Sequence, residues 1–231
     1  DEGPGLDGSP SVPGQLHLGA ARRHALIGIG KPLDAARAEA ARRAYDVRVN
    51  HLIWNGDKKS HIMGVLSSEN NIPLYTLTNG ASGKADWLSK TADEIATDMA
   101  GILNFIDTST KSIEHPDSWV MPSDLFTTLN LKRIEGTQQS VLSYIKEHTP
   151  QIKNWETATE LSKNNTDYNS TGKNIGLLYT KDAEKMAHEA PMPFMQHAPQ
   201  ERNLEVVINC EGRDAGMQII YPFSACLVYG L

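Results

Sequence analysis

The C-terminal residues 175–231 constrain the fold of this chain more than any other stretch. Apolar runs at residues 175–179 and 204–210 lead through the charged, glycine-bearing segment 212–216 to a Tyr-Pro pair, and a last apolar run covers residues 225–230. Short apolar runs bounded by glycine, proline and charged residues are typical of buried strands. This order predicts a sheet that completes a domain, and it contains no residues arranged as a catalytic pocket.

The composition limits the possible partners. A chain of 231 residues with 39% hydrophobic content can form one large domain or two small ones. A formal net charge of -6 offers no cluster of lysine and arginine for tight binding of nucleic acid. No apolar run approaches the roughly 20 residues that a membrane span requires. We therefore expect no membrane partner. We expect any nucleic acid partner to be enclosed by the protein rather than tightly bound.

The clearest local element is a helix predicted over residues 32–55. Pro32 suits the first helical position, and Asn55 with Gly56 supplies a left-handed stop. At about 1.5 Å per residue the helix would be about 36 Å long. Small and apolar residues recur at three- and four-residue steps and form a predicted seam: Ala36, Ala40, Ala44, Val47 and Trp54. The seam predicts close packing against a sheet or a second backbone, so both a helix at a subunit boundary and an ordinary core helix remain open.

Further helices and strands follow without regular alternation. Thr91 and Glu94 form a capping box that opens a helix with an apolar face, namely Ile95, Met99, Ile102, Leu103 and Ile106. Residues 119–121 predict a strand, Pro122 begins a helix, and Ser140 caps another over residues 141–148. The predicted class is therefore α+β.

Motifs for catalysis and metal binding are weak throughout. Residues 28–31 resemble part of a phosphate loop, but Pro32 stands where a magnesium-binding Ser or Thr is needed. Ser82 misses the spacing of a nucleophile elbow by one position. Cys210 and Cys226 are predicted to be small buried hydrophobic residues, with a disulfide or metal pair as the alternative. The eight histidines form no HxH or HExxH pair, so we expect no catalytic residue, no cofactor and no metal.

The segment 212–216 has two interpretations. Its glycines are typical of a hairpin turn, which needs positive dihedral angles. Alternatively, Arg213 and Asp214 form an exposed pair that contacts a neighbouring subunit, because an arginine can bind a partner carboxylate through two hydrogen bonds. Both residues are therefore candidates for a subunit contact.

Several segments in order resemble a known family. Residues 31–34 lead into the Ala/Arg helix, residues 50–57 and 63–66 form its exit, and residues 116–122 and 141–145 follow the capped helix. With the C-terminal strands, this order over residues 19–230 resembles tailed-bacteriophage, prophage-encoded major capsid proteins of the Hong Kong phage fold. The resemblance implies a subunit of an icosahedral shell, assembled in the bacterial host cytoplasm as hexamers and pentamers around packaged DNA and found in the virion.

The resemblance also implies a domain plan. Residues 1–30 would be an N-terminal arm, residues 31–110 mainly a peripheral domain built on the spine helix 32–55, residues 111–194 mainly an axial domain, and residues 195–231 strands returning to both sheets. Family members carry a longer N-terminal portion that laps over a neighbour. The chain is therefore expected to be a fragment, to lack part of the protein or to come from a degraded gene, which bears on its competence to assemble.

The partners implied are further copies of the chain, and a scaffold, a maturation protease and portal proteins. Two alternatives remain from the residues alone. One is a cellular nanocompartment shell of the same fold. The other is a small-molecule hydrolase or transferase with a site built from loops, which a deep pocket with converging titratable groups would favour.

Overall fold

The computed structural model describes residues 14–18, 33–198, 200–202 and 205–231. The predictions for residues 1–13 and 19–32, including the phosphate-loop-like segment, lie outside the described residues. The helices are α1 (Leu33–Asn55), α2 (Ala92–Thr110), α3 (Ser123–Leu131) and α4 (Val141–His148). The strands are β1 (Gly14–Leu18), β2 (Gly56–Asp57), β3 (Ile62–Met63), β4 (Leu74–Thr76), β5 (Ser118–Met121), β6 (Asn154–Thr157), β7 (Ile175–Tyr179), β8 (Met186–Glu189), β9 (Met192–Gln196), β10 (Gln200–Arg202), β11 (Glu205–Arg213), β12 (Gly216–Ile219) and β13 (Ala225–Tyr229).

These elements mix without regular alternation, which confirms the α+β class. They fall into two compact units. The first unit comprises Asp1–Val65 and His188–Gln218, and the second comprises Leu66–Ala187 and Ile219–Leu231. The second unit includes α2, whereas the domain plan from the sequence placed residues 31–110 mainly in one domain with the spine helix. Helix α2 belongs to the second unit because its apolar face packs on β5, β7 and β13.

The first unit is organised around β11. Strand β1 pairs antiparallel with it along residues 206–210, and β10 and β9 pair antiparallel with successive parts of it. The sequence predicted an irregular arm over residues 1–30, so the strand at residues 14–18 corrects that prediction. Helix α1 approaches β11 closely at Gly212, where an added Cβ would lie 2.6 Å from the Tyr45 ring. The same ring lies 5.2 Å from the ring of Phe194 in β9.

Two glycines fix the exit of α1. Gly56 has a φ of 70°, which ends the helix as the Asn-Gly signal predicted. The chain then folds back through β2 and β3, and the Val65 N–H donates to the Ile53 carbonyl at 2.9 Å. A Cβ added at Gly64 would lie 2.3 Å from the Gly56 nitrogen. The two backbones cross so closely here that only glycine fits at positions 56 and 64.

The second unit contains a five-stranded sheet in the order β4-β13-β7-β5-β6. Strand β4 lies at one edge as predicted, since Pro73 before it cannot donate to a ladder. Helices α2, α3 and α4 contribute to one apolar core with the sheet. Trp87 and Trp119 stack in it with ring centroids 5.9 Å apart, and both are fully buried.

The predicted helix starts of the second unit are confirmed. Thr91 and Glu94 form both hydrogen bonds of the capping box, and the Ser140 hydroxyl accepts from the Ser143 N–H at 3.2 Å. The N–H groups of Ala81 and Thr91 donate to the Glu94 carboxylate and hold its pKa below the usual value. Helix α2 is thereby fixed at its start and joined to the preceding loop.

A buried ion pair lies behind that loop. Lys90 Nζ lies 2.6 Å from Asp98 Oδ2, with side-chain exposures of 1% and 8%, and it donates to the Thr78 carbonyl at 2.7 Å. Trp87 Nε1 donates to the same carboxylate oxygen at 3.0 Å. Because buried charges destabilise a fold unless they are paired and hydrogen-bonded, this network fixes the loop against α2. No local sequence pattern indicated this network.

Candidate assembly surfaces

Most of the predicted seam of α1 is exposed in the part of the chain that the structure describes. Ala40, Ala44 and Val47 are exposed, Val47 by 59%, and Trp54 is half-buried. The side chain of Ala36 lies outside the described part. Among the described residues, Ala40, Ala44 and Val47 therefore do not pack against a sheet, and contact with a second backbone remains a prediction.

The buried stripe of α1 is displaced by one residue from the predicted one. It contains Ala41 and Leu52, with Tyr45 half-buried between them. One residue corresponds to about 100° around a helix. Alanine occurs on several sides of this helix between residues 35 and 44, so apolar identity could not distinguish the inner stripe from its neighbour.

The exposed side of α1 carries unpaired positive charge. Arg42 and Arg43 are exposed and form no ion pair with any residue that the structure describes. Arg48, one turn further on, lies 3.0 Å from the Asp57 carboxylate. Arg43 shares its stripe with Ala40, Ala44 and Val47, because positions i, i+3, i+4 and i+7 lie on one face. We call these four residues the Arg43 stripe.

Only one residue of the candidate pair Arg213 and Asp214 is exposed, which corrects the prediction that both are. Arg213 is exposed, but the Asp214 side chain is 1% exposed. Its Oδ1 accepts from the Gly216 N–H at 2.8 Å and its Oδ2 accepts from His188 Nε2 at 2.8 Å. Asp214 therefore holds its own turn, as Asp often does two residues before a glycine. The buried Asp214 carboxylate therefore cannot contact a neighbouring subunit.

The segment 212–216 is also not a hairpin turn. Strand β11 pairs with β9, whereas β12 pairs with β8, so the chain passes from one sheet to another. Gly216 has a φ of 76°, and a Cβ there would lie 2.3 Å from Ile62 Cγ2. The glycine is required by its conformation and by close packing, as the sequence indicated, but in a different connection.

An exposed apolar patch occurs in the second unit, and sequence reasoning missed it. It contains Ile113, Ile220, Tyr221 and Phe223, each more than half exposed. Lys185 joins the two segments of the patch. The Lys185 carbonyl accepts from the N–H groups of Ile220 and Tyr221. The Lys185 Nζ lies 2.6 Å from the carboxylate of Glu114, the residue after Ile113. Exposed apolar patches of this kind are typical of surfaces that contact another protein.

An acidic surface surrounds Tyr144 of α4. The Tyr144 hydroxyl donates to Asp93 Oδ1 of α2 at 2.6 Å, and the Glu147 carboxylate lies one turn further along α4. The His148 ring lies tilted against the Tyr144 ring with the ring centroids 4.0 Å apart, and its Nδ1 donates to the Tyr144 carbonyl at 2.8 Å. The hydrogen bond to Asp93, partial burial and the charges of Asp93 and Glu147 raise the pKa of Tyr144. We call Asp93, Tyr144 and Glu147 the Tyr144 surface.

The described residues around Asp124 line a small cavity. A shallow polar hollow of about 330 Å³ lies beside Asp124. The Asp124 carboxylate already accepts hydrogen bonds from Ser162 and Asn164. The described residues hold no group of three His, Cys, Asp or Glu suited to a metal ion. Cys210 and Cys226 are free thiols, and burial raises the pKa of Cys226 to about 12.

The described residues form one unit with α1 and β11, a second unit with a mixed sheet and packed helices, and several exposed apolar or charged surfaces. Residues 22–231 match the major capsid protein family, and the chain belongs to that family. This confirms the resemblance to tailed-phage capsid proteins. The family and its fold are structural rather than enzymatic, so the hydrolase or transferase alternative is set aside. Capsid homologues are components of the virion.

Solved structures support the same fold. The capsid of Myoviridae phage XM1 matches with a TM-score of 0.69 and 16% identity, covering 87% of this chain and 66% of that one. The chain thus spans about two thirds of the length of that capsid chain. The capsid of the native GTA particle matches with a TM-score of 0.61 and 9% identity, covering 95% of this chain and 72% of that one.

The fold is also used outside phage capsids. The encapsulin complex of Synechococcus elongatus matches with a TM-score of 0.56 and 10% identity, covering 96% of this chain and 73% of that one. At such identities the likeness concerns the fold alone. A comparison with curated proteins gives no match. In the described part of the chain, no helix has the length and apolar content to cross a bilayer.

Proposed function

We propose that the chain is a structural subunit of an icosahedral phage shell that assembles as hexamers and pentamers around packaged DNA. The observation that carries the proposal is the match to the major capsid protein family over residues 22–231. The exposed stripe of α1 and the apolar patch around Tyr221 support it, because a subunit that assembles must present contact surfaces that its own core leaves uncovered. Many such contacts can each be weak and still hold a shell together.

The proposal assigns the two domains that the resemblance implies to the two structural units. The first unit, with α1 and β11, is the proposed peripheral domain. The second unit, with its five-stranded sheet, is the proposed axial domain that would approach the five- or six-fold axis. The proposed boundaries follow the structural units, at residues 65, 187 and 218, in place of the boundaries estimated from the sequence.

Three surfaces are the proposed subunit contacts. They are the α1 seam with Ala40, Ala44 and Val47, the apolar patch around Tyr221, and Arg213, which remains exposed although Asp214 does not. The net charge of -6 favours DNA that is enclosed without sequence-specific contact. Scaffold, maturation protease and portal proteins belong to the proposal through the family alone.

A second candidate function is a cellular nanocompartment shell. The observation in its favour is the similarity to the Synechococcus elongatus encapsulin, which covers nearly the whole chain. Both functions use the same kind of subunit, so they differ in what the shell encloses.

One experiment tests the proposal and separates the two candidates. The complete natural protein is produced in a bacterial host, and assemblies are isolated and examined by light scattering and negative-stain electron microscopy. We expect closed shells that protect DNA from added nuclease when the packaging components of the phage are present. Shells that contain only protein under the same conditions would favour the nanocompartment, and a protein that stays monomeric at high concentration would exclude both functions.

A further inference from the structure

We propose that the Arg43 stripe of one copy docks on the Tyr144 surface of a second copy. This inference rests on the proposed function and deepens it by naming the partner surface of α1. It assigns a head-to-tail contact, in which two different surfaces meet, as closed rings require. Charge and shape on both surfaces support this pairing.

The two surfaces are complementary in charge. Arg42 and Arg43 find no acidic partner among the described residues. Asp93 and Glu147 find no cationic partner within the same part of the chain, and both raise the pKa of Tyr144. Lys146, next to Glu147 in the sequence, lies over the rings of Phe126 and Trp155 at 5.2 and 5.5 Å. The Tyr144 surface therefore keeps its negative charge.

The chemistry of the contact suits arginine. A guanidinium can bind a carboxylate through two parallel hydrogen bonds and can also lie on an aromatic ring. The Tyr144 surface offers the two exposed carboxylates of Asp93 and Glu147, while the His148 ring already lies against the Tyr144 ring. On the Arg43 stripe, Ala40 and Ala44 have small side chains that allow another chain to approach the helix closely.

A protein partner fits the stripe better than nucleic acid does. Alanine and valine, which make up the rest of the stripe, offer phosphate no hydrogen-bond donors. We infer that the partner is a second copy of this chain, because the family builds its shells from repeated subunits.

A charge exchange in the complete natural protein tests the pairing. Arg43→Glu places two acidic surfaces opposite each other, and we expect the protein concentration needed for particle formation to rise about tenfold or more. Glu147→Arg alone should have a similar effect. The double variant Arg43→Glu with Glu147→Arg restores opposite charges and should assemble near the wild-type concentration. Lys84→Glu, which makes the same charge change at an exposed loop position, should assemble like wild type.

Each outcome decides between the possibilities. If wild type forms shells but the double variant is no better than the single variants, the pairing is wrong while the proposed function stands. If Arg43→Glu forms shells normally but they retain less DNA, the stripe contacts nucleic acid and the pairing is overturned. If wild type forms no assembly, the proposed function fails and the pairing fails with it. Circular dichroism and thermal unfolding of each variant separate loss of contact from loss of fold.

Discussion

Helices α1 and α2 have similar lengths, 23 and 19 residues, but they bury their side chains very differently. Helix α2 buries a continuous face that includes Ile95, Met99, Ile102 and Ile106. Over residues 37–55, α1 buries only Ala41 and Leu52. One helix thus serves the core of its own unit, whereas the other keeps an apolar, positively charged stripe in solvent. The difference is the reason why we propose the exposed stripe of α1 as a contact to a second copy.

The largest effect should come from the buried ion pair that fixes α2. Asp98→Ala leaves the Lys90 ammonium buried without its carboxylate, and we expect a loss of about 3–5 kcal/mol in the free energy of unfolding. Urea unfolding followed by circular dichroism measures it. Asp107→Ala removes an exposed carboxylate from the same helix and should change stability by less than about 0.5 kcal/mol. Equal unfolding midpoints for the two variants would show that the buried pair does not stabilise the unit.

The inner stripe of α1 should be the next most sensitive. Ala41 is 7% exposed in the first unit, so Ala41→Leu adds side-chain volume where little space exists. We expect a cost of about 1–3 kcal/mol from overpacking. Urea unfolding that resolves the first unit provides the measurement. A variant as stable as wild type would mean that the helix does not pack on β11 as described.

The start of α2 should show a smaller effect. Thr91→Ala removes the hydroxyl that accepts from the Glu94 N–H, and loss of such a cap costs about 1 kcal/mol. The Glu94 carboxylate has a lowered pKa in the folded state, so its contribution is present above its unfolded pKa and lost as the pH falls through the folded one. Thermal unfolding should therefore show both proteins less stable in acid, with a similar difference between them, because the N–H groups of Ala81 and Thr91 that lower the Glu94 pKa most remain in the variant. Equal stability of variant and wild type at neutral pH would contradict the capping box as the cause.

The sequence predicted most of what depends on local signals. The cap at Ser140, the stop at Gly56 and the edge strand after Pro73 each follow from one or two residues and their backbone preferences. Non-local features escaped it. The Lys90–Asp98 pair requires a fold that brings a loop onto a helix, and the burial of Asp214 depends on His188 in another strand.

The assembly surfaces were predicted only in part for a related reason. Repeated alanines in α1 made two neighbouring stripes look alike, so the sequence indicated a close-packing helix but not which side faced its own chain. Ile113 stands far in the sequence from Ile220, Tyr221 and Phe223, and Lys185 joins the two segments through its carbonyl and its Nζ. Exposure at such a place depends on tertiary structure, which no local pattern records.

The smallest effect on folding should come from the Arg43 stripe of α1. A substitution there tests most directly whether α1, unlike α2, keeps an apolar surface outside the core of its own unit. Ala40 is exposed, so Ala40→Leu should change the free energy of unfolding of the isolated subunit by less than about 0.5 kcal/mol, in contrast to Ala41→Leu one residue away. In the complete protein the same leucine would stand between α1 and its proposed partner, and particle formation should require a higher concentration. Unfolding in urea and light scattering of the same preparations measure the two effects. If Ala40→Leu destabilises the isolated subunit as much as Ala41→Leu does, the stripe is part of the subunit's own core. If it leaves both folding and assembly unchanged, α1 does not present a contact to a second copy.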